Sequence, residues 1–572
     1  GFDIGDFLQI ALKLCEALAV VHRAGVLHKD IKPDNIIYNR TSSRVALTDF
    51  SIASLIDREE QAALAPETLE GSLAYLSPEQ TGRINRLVDY RSDFYSLGIT
   101  LYEMLLGFLP FRADSPLALV HAHIARRPIP PEIISDDVPP ILSKIIMRLL
   151  EKNAEDRYQS SNGLLADLRR VDGEYRLGLP LGDFSLAQHD HNERFSLSSQ
   201  LFGREADTEL IMAAFDRACA GSNELILLGG PGGIGKSALV RELQRPMVER
   251  RGAFVTGKFD ALDHGTPYSA LTLALRELVL QLLGQPEAQL ERWRRTLGEA
   301  LGHNAQLVIE MIPELGTLMG PQPEVPEMPA AESANRFHDA LRLLISAFAT
   351  DEHPLVIVLD DLQWADLATL SLIEDLVGDF ELAHILWIGT YRDTEVPPEH
   401  PLTRLRSTLL AAGASVSTRI LDPLTAEDVE HLVAATLHSS SDQVRPLARL
   451  IHRQSEGNPF FVRSLLETLH EQSVLTFDEH SESWTWEMSA VEAASLPEDV
   501  IALVTQRIRR LGACARNLLQ IAAGIGGQFE LHLLSNLAGT STTNALAGLR
   551  EAIQIGLIRP VGDNYKFLHD EA

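Results

Sequence analysis

Apolar side chains recur at helical spacing over residues 7–24 (Phe7, Ile10, Ala11, Leu14, Leu18, Val21), and the pattern stops at Gly25. Such a stripe predicts an amphipathic helix closed by a glycine. A short extended stretch and a loop follow, and helical spacing then continues to about Arg170. From about Asp172 to Gln200 the periodicity fades among Gly, Pro, Ser and the run His189-Asp190-His191-Asn192-Glu193-Arg194, which reads as an interdomain linker. Past Leu201-Phe202-Gly203-Arg204-Glu205, short apolar runs such as 225–228 and 355–359 alternate with helical stretches. That alternation predicts βα units around a parallel sheet. A Pro-rich patch at 321–329 breaks a long helical insert, and residues 238–250 read as one helix. From about Leu421 the pattern is mostly helical, with hairpin-like strands at Trp484-Thr485-Trp486 and near 557–567. No repeat with a period of roughly 20–50 residues is visible.

Composition narrows the function classes. The 572 residues allow three to five domains at roughly 100–200 residues each. With 45% hydrophobic and 23% charged residues the chain is ordinary globular protein, which excludes global disorder. Fifty basic against 79 acidic residues give a net charge of −29, which argues against nucleic acid as the main partner. The basic run Arg507-Ile508-Arg509-Arg510 then reads as a solvated or partner-contacting face. Cys15, Cys219 and Cys514 lie far apart, which excludes a disulfide framework and a Cys-rich zinc site and suits a reducing, cytoplasmic setting. His189 and His191 have no matching downstream set and read as solvated linker rather than metal ligands. No apolar run approaches the roughly 18–20 residues of a membrane span. The chain opens with Gly-Phe-Asp rather than Met, so the expectation is an internal fragment of a longer protein.

Two constellations carry chemistry. The first is His28-Lys29-Asp30-Ile31-Lys32-Pro33-Asp34-Asn35 followed by Leu47-Thr48-Asp49-Phe50-Ser51. It resembles the catalytic and metal-binding loops of protein kinases. On that resemblance Asp30 accepts the proton of an attacking hydroxyl and Lys32 neutralises charge on the transferred phosphoryl group. Asn35 and Asp49 offer oxygens to Mg²⁺, a hard cation. Lys two positions after the Asp is the form seen in Ser/Thr kinases. Gly71-Ser72-Leu73-Ala74-Tyr75-Leu76-Ser77-Pro78-Glu79 looks like the end of an activation segment, and Asp93-Phe94-Tyr95-Ser96-Leu97-Gly98 like the buried helix whose Asp braces the catalytic loop. Arg157 stands where the family pairs an Arg with the Pro-Glu glutamate, here Glu79. The departures are Lys29 for Arg, Ser51 for Gly and Ser77 for Ala. Lys29 puts control through phosphorylation of Thr68 or Ser72 in doubt, because Lys cannot make the bidentate contact of Arg. No glycine-rich loop, strand Lys or partner Glu precedes Phe7, so the resemblance implies that the small lobe is absent from this sequence. The fragment alone should then transfer phosphate negligibly.

The second is Gly230-Pro231-Gly232-Gly233-Ile234-Gly235-Lys236-Ser237, a full P-loop between a strand and a helix. Gly230, Gly232, Gly233 and Gly235 let backbone N–H groups face phosphate oxygens, Lys236 reaches the β/γ-phosphates, and the Ser237 hydroxyl ligates Mg²⁺. The apolar run 355–359 ends in Asp360 and Asp361: Asp360 serves the Mg²⁺ shell, and Asp361 orients or deprotonates the attacking water. Arg392 ends the run 385–391 and reads either as a γ-phosphate sensor or as a surface residue. With Phe202-Gly203-Arg204-Glu205, Asp360-Asp361-Leu362-Gln363-Trp364-Ala365-Asp366 and Glu456-Gly457-Asn458-Pro459-Phe460-Phe461, the segment from about 200 onward resembles the signal-transduction ATPases with numerous domains (STAND class). In that class the Gly-Arg stretch and the Gly-x-Pro turn close over the nucleotide, so Pro459 either reports nucleotide state or is a plain turn residue.

The expected fold is multidomain α+β and α/β. It comprises a kinase-like C-lobe at 1–171, a linker at 172–200, a P-loop ATPase with a parallel sheet at 201–420, a helical lid at 421–480 and a truncated winged-helix-like segment at 481–572. The order resembles large bacterial signalling proteins that continue into GAF and sensor histidine kinase modules. That resemblance implies Ser/Thr transfer from Mg-ATP to a protein substrate, coupled to a nucleotide switch that self-associates. The competing reading is a nucleotide-gated scaffold in which only the P-loop domain uses ATP. A STAND transcription regulator is disfavoured, for no basic recognition element is visible.

Overall fold

The computed structural model describes residues 2–567 apart from 40–43, 56–72, 82–87, 114–115, 180, 189, 191–194, 196, 199, 251, 260–266, 284–286, 324–329, 479–482, 495–496, 498–501, 503–504, 506–507, 510, 555–556 and 562–563. Thr68, Gly71, Ser72, His189, His191, Arg507 and Arg510, singled out above, lie outside the described residues. The chain divides into two compact units, Gly1–Ser199 with His431–Leu447 and Glu467–Leu496, and Gln200–Glu430 with Ala448–Leu466 and Pro497–Ala572.

In the first unit, helix α1 (Ile4–Arg23) starts where the Asp3 carboxylate accepts the Gly5 N–H, and its apolar stripe buries Phe7, Leu8, Leu14 and Leu18. Two small antiparallel ribbons follow: β1 (Val26–Leu27) pairs with β4 (Ser54–Leu55), and β2 (Ile36–Asn39) with β3 (Arg44–Leu47). Helix α2 (Tyr90–Leu106) is buried almost all round, capped by the Asp89 side chain and closed at Gly107, φ 84°. Helices α3 (Pro116–Ala125), α4 (Pro131–Ile134), α5 (Pro140–Leu149) and α6 (Ser161–Arg176) follow. A Cβ at Gly98 would stand 2.8 Å from the Leu149 Cβ, so a glycine is what lets α2 and α5 approach.

The buried Arg157 guanidinium holds both Glu79 oxygens, at 2.6 and 2.8 Å, and also bonds the carbonyls of Glu151, Lys152 and Arg91. Ser92 donates to the same carboxylate at 2.7 Å. Burial alone would push the Glu79 carboxyl up, but the Arg157 charge and these hydrogen bonds hold it below its ordinary value.

The expected linker is corrected in part. Helix α6 runs to Arg176, past the boundary expected at 171. Leu181, Phe184, Leu186 and Ala187 pack against the core of the first unit. Asp190, expected in a solvated cluster, is half-buried against the start of α6: its carboxylate accepts the backbone N–H groups of Gln159 and Ser160 and the Ser160 hydroxyl, each at 2.7–2.8 Å. Ala187 N–H donates to Asp167, and Arg170 lies 4.1 Å over the Phe184 ring. A run without periodicity is tied down here by caps and ring contacts, which leave no repeat in sequence.

The second unit opens with α7 (Glu205–Cys219) and β5 (Asn223–Gly229). A fully parallel sheet is completed by β6 (Ala253–Lys258), β7 (Leu355–Asp360), β8 (Ile385–Tyr391) and β9 (Ser415–Ile420), in the order β6-β7-β8-β5-β9. Because β8 lies between β5 and β7, the carboxyl ends of all three meet at one edge, where open α/β sheets bind ligands. The helix expected over 238–250 is two pieces, α8 (Lys236–Arg241) and Gln244–Glu249. Pro246 has no N–H to donate back to Glu242, and the helix is interrupted at residues 242–243.

Further on, Ala426–Leu437, Ser441–Ser455 and Pro459–Glu471 are helical, and the Trp484 stretch forms the expected hairpin: β10 (Thr476–Asp478) against β11 (Ser483–Thr485). Trp484 is buried against Phe477, His470 and Phe195. Beyond it, helices Ala513–Ile525, Leu531–Leu537 and Thr542–Gln554 pack with a three-stranded sheet, β12 (Gln528–Glu530), β13 (Ile558–Val561) and β14 (Asn564–Phe567). Among the described residues no helix is long and apolar enough to cross a membrane, and all three cysteines are free.

Breaking the buried pair leaves an uncompensated charge, so Glu79→Gln should cost about 3–5 kcal/mol at neutral pH. Since the folded carboxyl titrates below its ordinary 4.5, the contribution is complete above that value and fades as pH falls through the folded one. Calorimetry over a pH series should show the gap between wild type and Glu79→Gln narrowing on acidification; a constant gap would contradict this account.

Candidate functional site

Two sites are built, one in each unit. In the first, the fully buried Asp93 near the start of α2 accepts the His28 N–H at 2.9 Å and the Lys29 N–H at 2.8 Å, and lies 2.9 Å from His22 Nε2. This braces the loop as expected for Asp93, and it fixes Lys29 at φ 68°, a strained value for a side chain with a Cβ. Gln80 adds a bond to the Lys29 carbonyl at 2.9 Å.

The braced loop presents Asp30, whose carboxylate is 2.6 Å from Lys32 Nζ and 2.9 Å from Asn35 Nδ2. Asn35 also donates to the Asp30 carbonyl, and Thr48, one residue before Asp49, bonds the Asn35 carbonyl through its N–H and its hydroxyl. Asp30, Lys32, Asn35 and Asp49 are thus brought to one place, with Asp30 and Asn35 buried and Asp49 exposed. The departure at Ser51 has a local consequence: its hydroxyl and N–H hold the Asp49 carboxyl below the usual carboxylate range. His28 joins the two loops, bonding the Thr48 carbonyl at 3.1 Å with its ring 4.6 Å from that of Phe50.

In the second unit, Gly230, Gly232, Gly233 and Gly235 form the turn from β5 into α8. Lys236 is buried under it and donates to the carbonyls of Gly230 and Pro231 at 2.6 and 3.0 Å. Burial pushes its ammonium down, and the charges of Asp360 and Asp361 oppose this. Ser237 is exposed at the mouth of the loop. Asp360 ends β7 and accepts the Thr390 hydroxyl from β8. Asp361, at φ 60°, pairs with Lys258 at 2.8 Å and accepts from Gln363 at 3.2 Å. Arg392 follows β8; its guanidinium lies over the Trp364 ring and pairs with Glu395 at 3.3 Å.

The loop is covered from two sides. Asn458 Nδ2 donates to the Gly232 carbonyl at 2.9 Å, and the Phe460 N–H to that of Gly233 at 3.3 Å. Arg204 is buried and donates to the carbonyls of Ile234 and Asp422 at 3.1 and 2.7 Å. The residues on the loop are Asn458 and Phe460, while Pro459 between them begins the helix Pro459–Glu471. Sequence reasoning had quoted Asn458 and Arg204 without giving them contacts, and it missed Lys258, whose only signal is its place at the end of the strand beside β7.

Both sites carry oxygen donors suited to Mg²⁺. No group of three or more His, Cys, Asp or Glu suited to a metal occurs among the described residues. Pairs of oxygen donors, Asn35 with Asp49 and Ser237 with Asp360, match an ion that keeps water and phosphate oxygens in its shell.

Comparison with known proteins agrees with this geometry. The protein kinase domain family matches residues 2–167, and the AAA ATPase domain family matches residues 200–388. The chain therefore carries a protein kinase domain followed by an AAA ATPase domain. It is 26% identical to hybrid signal transduction histidine kinase G of Dictyostelium discoideum over 97% of its own length and 20% of that protein. It is 23% identical to the peroxide stress-activated histidine kinase mak3 of Schizosaccharomyces pombe, covering 98% of this chain and 28% of that one. The serine/threonine-protein kinase PknB of Mycolicibacterium smegmatis is 38% identical over 29% of this chain and 26% of its own length. The chain thus spans about a quarter of the length of these curated relatives.

Gly233 has φ 74°, and a Cβ there would meet Phe460 Cβ at 2.8 Å and Asn458 Oδ1 at 3.0 Å. At about 1–2 kcal/mol for a left-handed non-glycine residue, Gly233→Ala should weaken nucleotide binding roughly tenfold or more while the unit stays folded. Fluorescent nucleotide titration alongside circular dichroism checks this; unchanged affinity would mean that the cover does not need the glycine.

Proposed function

We propose that the chain is the catalytic and switching part of a signalling protein: a Ser/Thr protein kinase joined to a STAND-type nucleotide switch. The kinase module transfers the γ-phosphoryl group of Mg-ATP to a Ser or Thr hydroxyl of a protein substrate. Asp30 takes the hydroxyl proton, Lys32 offsets charge on the transferring group, and Asn35 and Asp49 hold Mg²⁺. The observation that carries this reading is the Asp30–Lys32–Asn35 cluster, held in place by Asp93 through two backbone amides.

The P-loop domain holds a second Mg-ATP through Lys236 and Ser237, with Asp360 at the metal and Asp361 at the water. Arg392 answers to the γ-phosphate. The contacts of Asn458 and Phe460 on the loop support a lid whose seating depends on the nucleotide. The whole-span relatives, from Dictyostelium discoideum and Schizosaccharomyces pombe, are named as histidine kinases, which supports sensor kinase modules elsewhere in the complete protein. Nucleotide-dependent self-association in a cytoplasmic setting belongs to the same proposal.

In the complete protein, Asp30→Asn should abolish Ser/Thr phosphorylation with Mg-ATP, whereas Lys236→Ala should leave the catalytic step intact and abolish nucleotide retention by the P-loop domain. Phosphotransfer that survives Asp30→Asn refutes the kinase assignment, and tight ATP binding by Lys236→Ala refutes the P-loop one.

A further inference from the structure

Gln363 has no role in the chemistry above, yet it is buried among the groups that have one. It lies in the turn Leu362–Trp364 and is 7% exposed, beside Asp361 at 6%. Its Nε2 donates to Asp361 Oδ1 at 3.2 Å, and its Oε1 accepts the backbone N–H of Arg392 at 3.1 Å. The amide orientation follows from the partners. A carboxylate only accepts and an N–H only donates, so one flip satisfies both and the other neither. Among side chains of this length, an amide alone does both.

The turn itself is pinned. His400 Nδ1 accepts the Leu402 N–H at 3.1 Å, so the neutral ring carries its proton on Nε2, which donates to the Gln363 carbonyl at 3.1 Å. Leu362 fills the space where a Cβ at Gly389 of β8 would lie, only 2.2 Å from its Cδ1. The next residue, Trp364, offers its ring to the Arg392 guanidinium at 5.5 Å. Asp361 therefore has one oxygen on Lys258 and the other on Gln363, while Arg392 is held through its backbone by the same amide.

We infer that Gln363 is a positioning residue that yokes Asp361 to Arg392, so that the group acting on water and the group answering to the γ-phosphate are set by one amide. The inference rests on the proposed roles of Asp361 and Arg392. Two consequences follow. Removing the amide slows hydrolysis through Asp361 and erodes the preference for ATP over ADP through Arg392. ADP binding, which uses Lys236 and the loop backbone, stays as it was.

The test uses the full chain with Gln363→Met, of similar length and without donor or acceptor, and Gln363→Glu, which sets an acceptor against Asp361. Fluorescent ATP and ADP affinities, single-turnover hydrolysis and melting temperature are measured for each. Hydrolysis should fall about ten- to a hundredfold, the range for one hydrogen bond to a charged group. The ATP-to-ADP affinity ratio should drop toward one, with ADP affinity within about twofold of wild type. In an Asp361→Asn background, Gln363→Met should slow hydrolysis no further, since it acts through that carboxylate. Additive losses in that double variant, or ADP affinity falling in step with melting temperature, would overturn the inference. Wild-type hydrolysis lost in Asp361→Asn but untouched in Gln363→Met overturns the role of Gln363 alone. A wild-type chain that binds nucleotide through Lys236 and hydrolyses none of it overturns the role of Asp361 and this inference together.

Discussion

A buried carboxylate is costly unless donors replace the water it loses, and key acids of both units are held by such donors. Asp93 is the clearest case. Fully buried, it is paid for by the N–H groups of His28 and Lys29 and by His22, and those bonds hold the backbone that carries Asp30. Glu79 in the grip of Arg157 and Ser92 repeats the principle away from the chemistry, and the half-buried Asp190 is held likewise by the amides of Gln159 and Ser160. The outcome is a rigid floor beneath residues that must meet a phosphate accurately, since small misplacements of catalytic groups are costly in rate.

The second unit solves a similar problem by sheet order. Placing β8 between β5 and β7 brings the P-loop, Asp360 and Arg392 from distant parts of the sequence to one edge. On the proposed reading phosphate is met by loop backbone and Lys236 and metal by Asp360 and Ser237, while Asn458 and Arg204 bond carbonyls of the loop. The glycine at 233 joins these levels: its conformation lets the loop turn, and its missing side chain lets Phe460 and Asn458 approach.

What was legible in sequence had local or short-range causes. The α1 stripe, the β5, β7 and β8 runs, the Trp484 hairpin and the P-loop were read from spacing and residue type, and the Asp30 loop and the Glu79–Arg157 pair from family resemblance. The packing of residues 181–188 and Asp190 was not legible because it comes from single contacts, Asp190 on the start of α6 and Phe184 under Arg170, which have no period. The break at Pro246 was readable from proline chemistry and was passed over.

Lys258 and Gln363 mark a different limit. A lysine at a strand end and a glutamine in a turn are ordinary surface residues by type, and nothing in their neighbourhood announces a partner. The sequence by itself determined most of the elements and the donor sets from which the proposed sites are built, because periodicity, turn chemistry and donor types are properties of short segments. Only the tertiary structure decided which of those atoms meet. Strand order and tertiary hydrogen bonds join residues as far apart as Gly232 and Asn458, and such pairing depends on the packed chain as a whole.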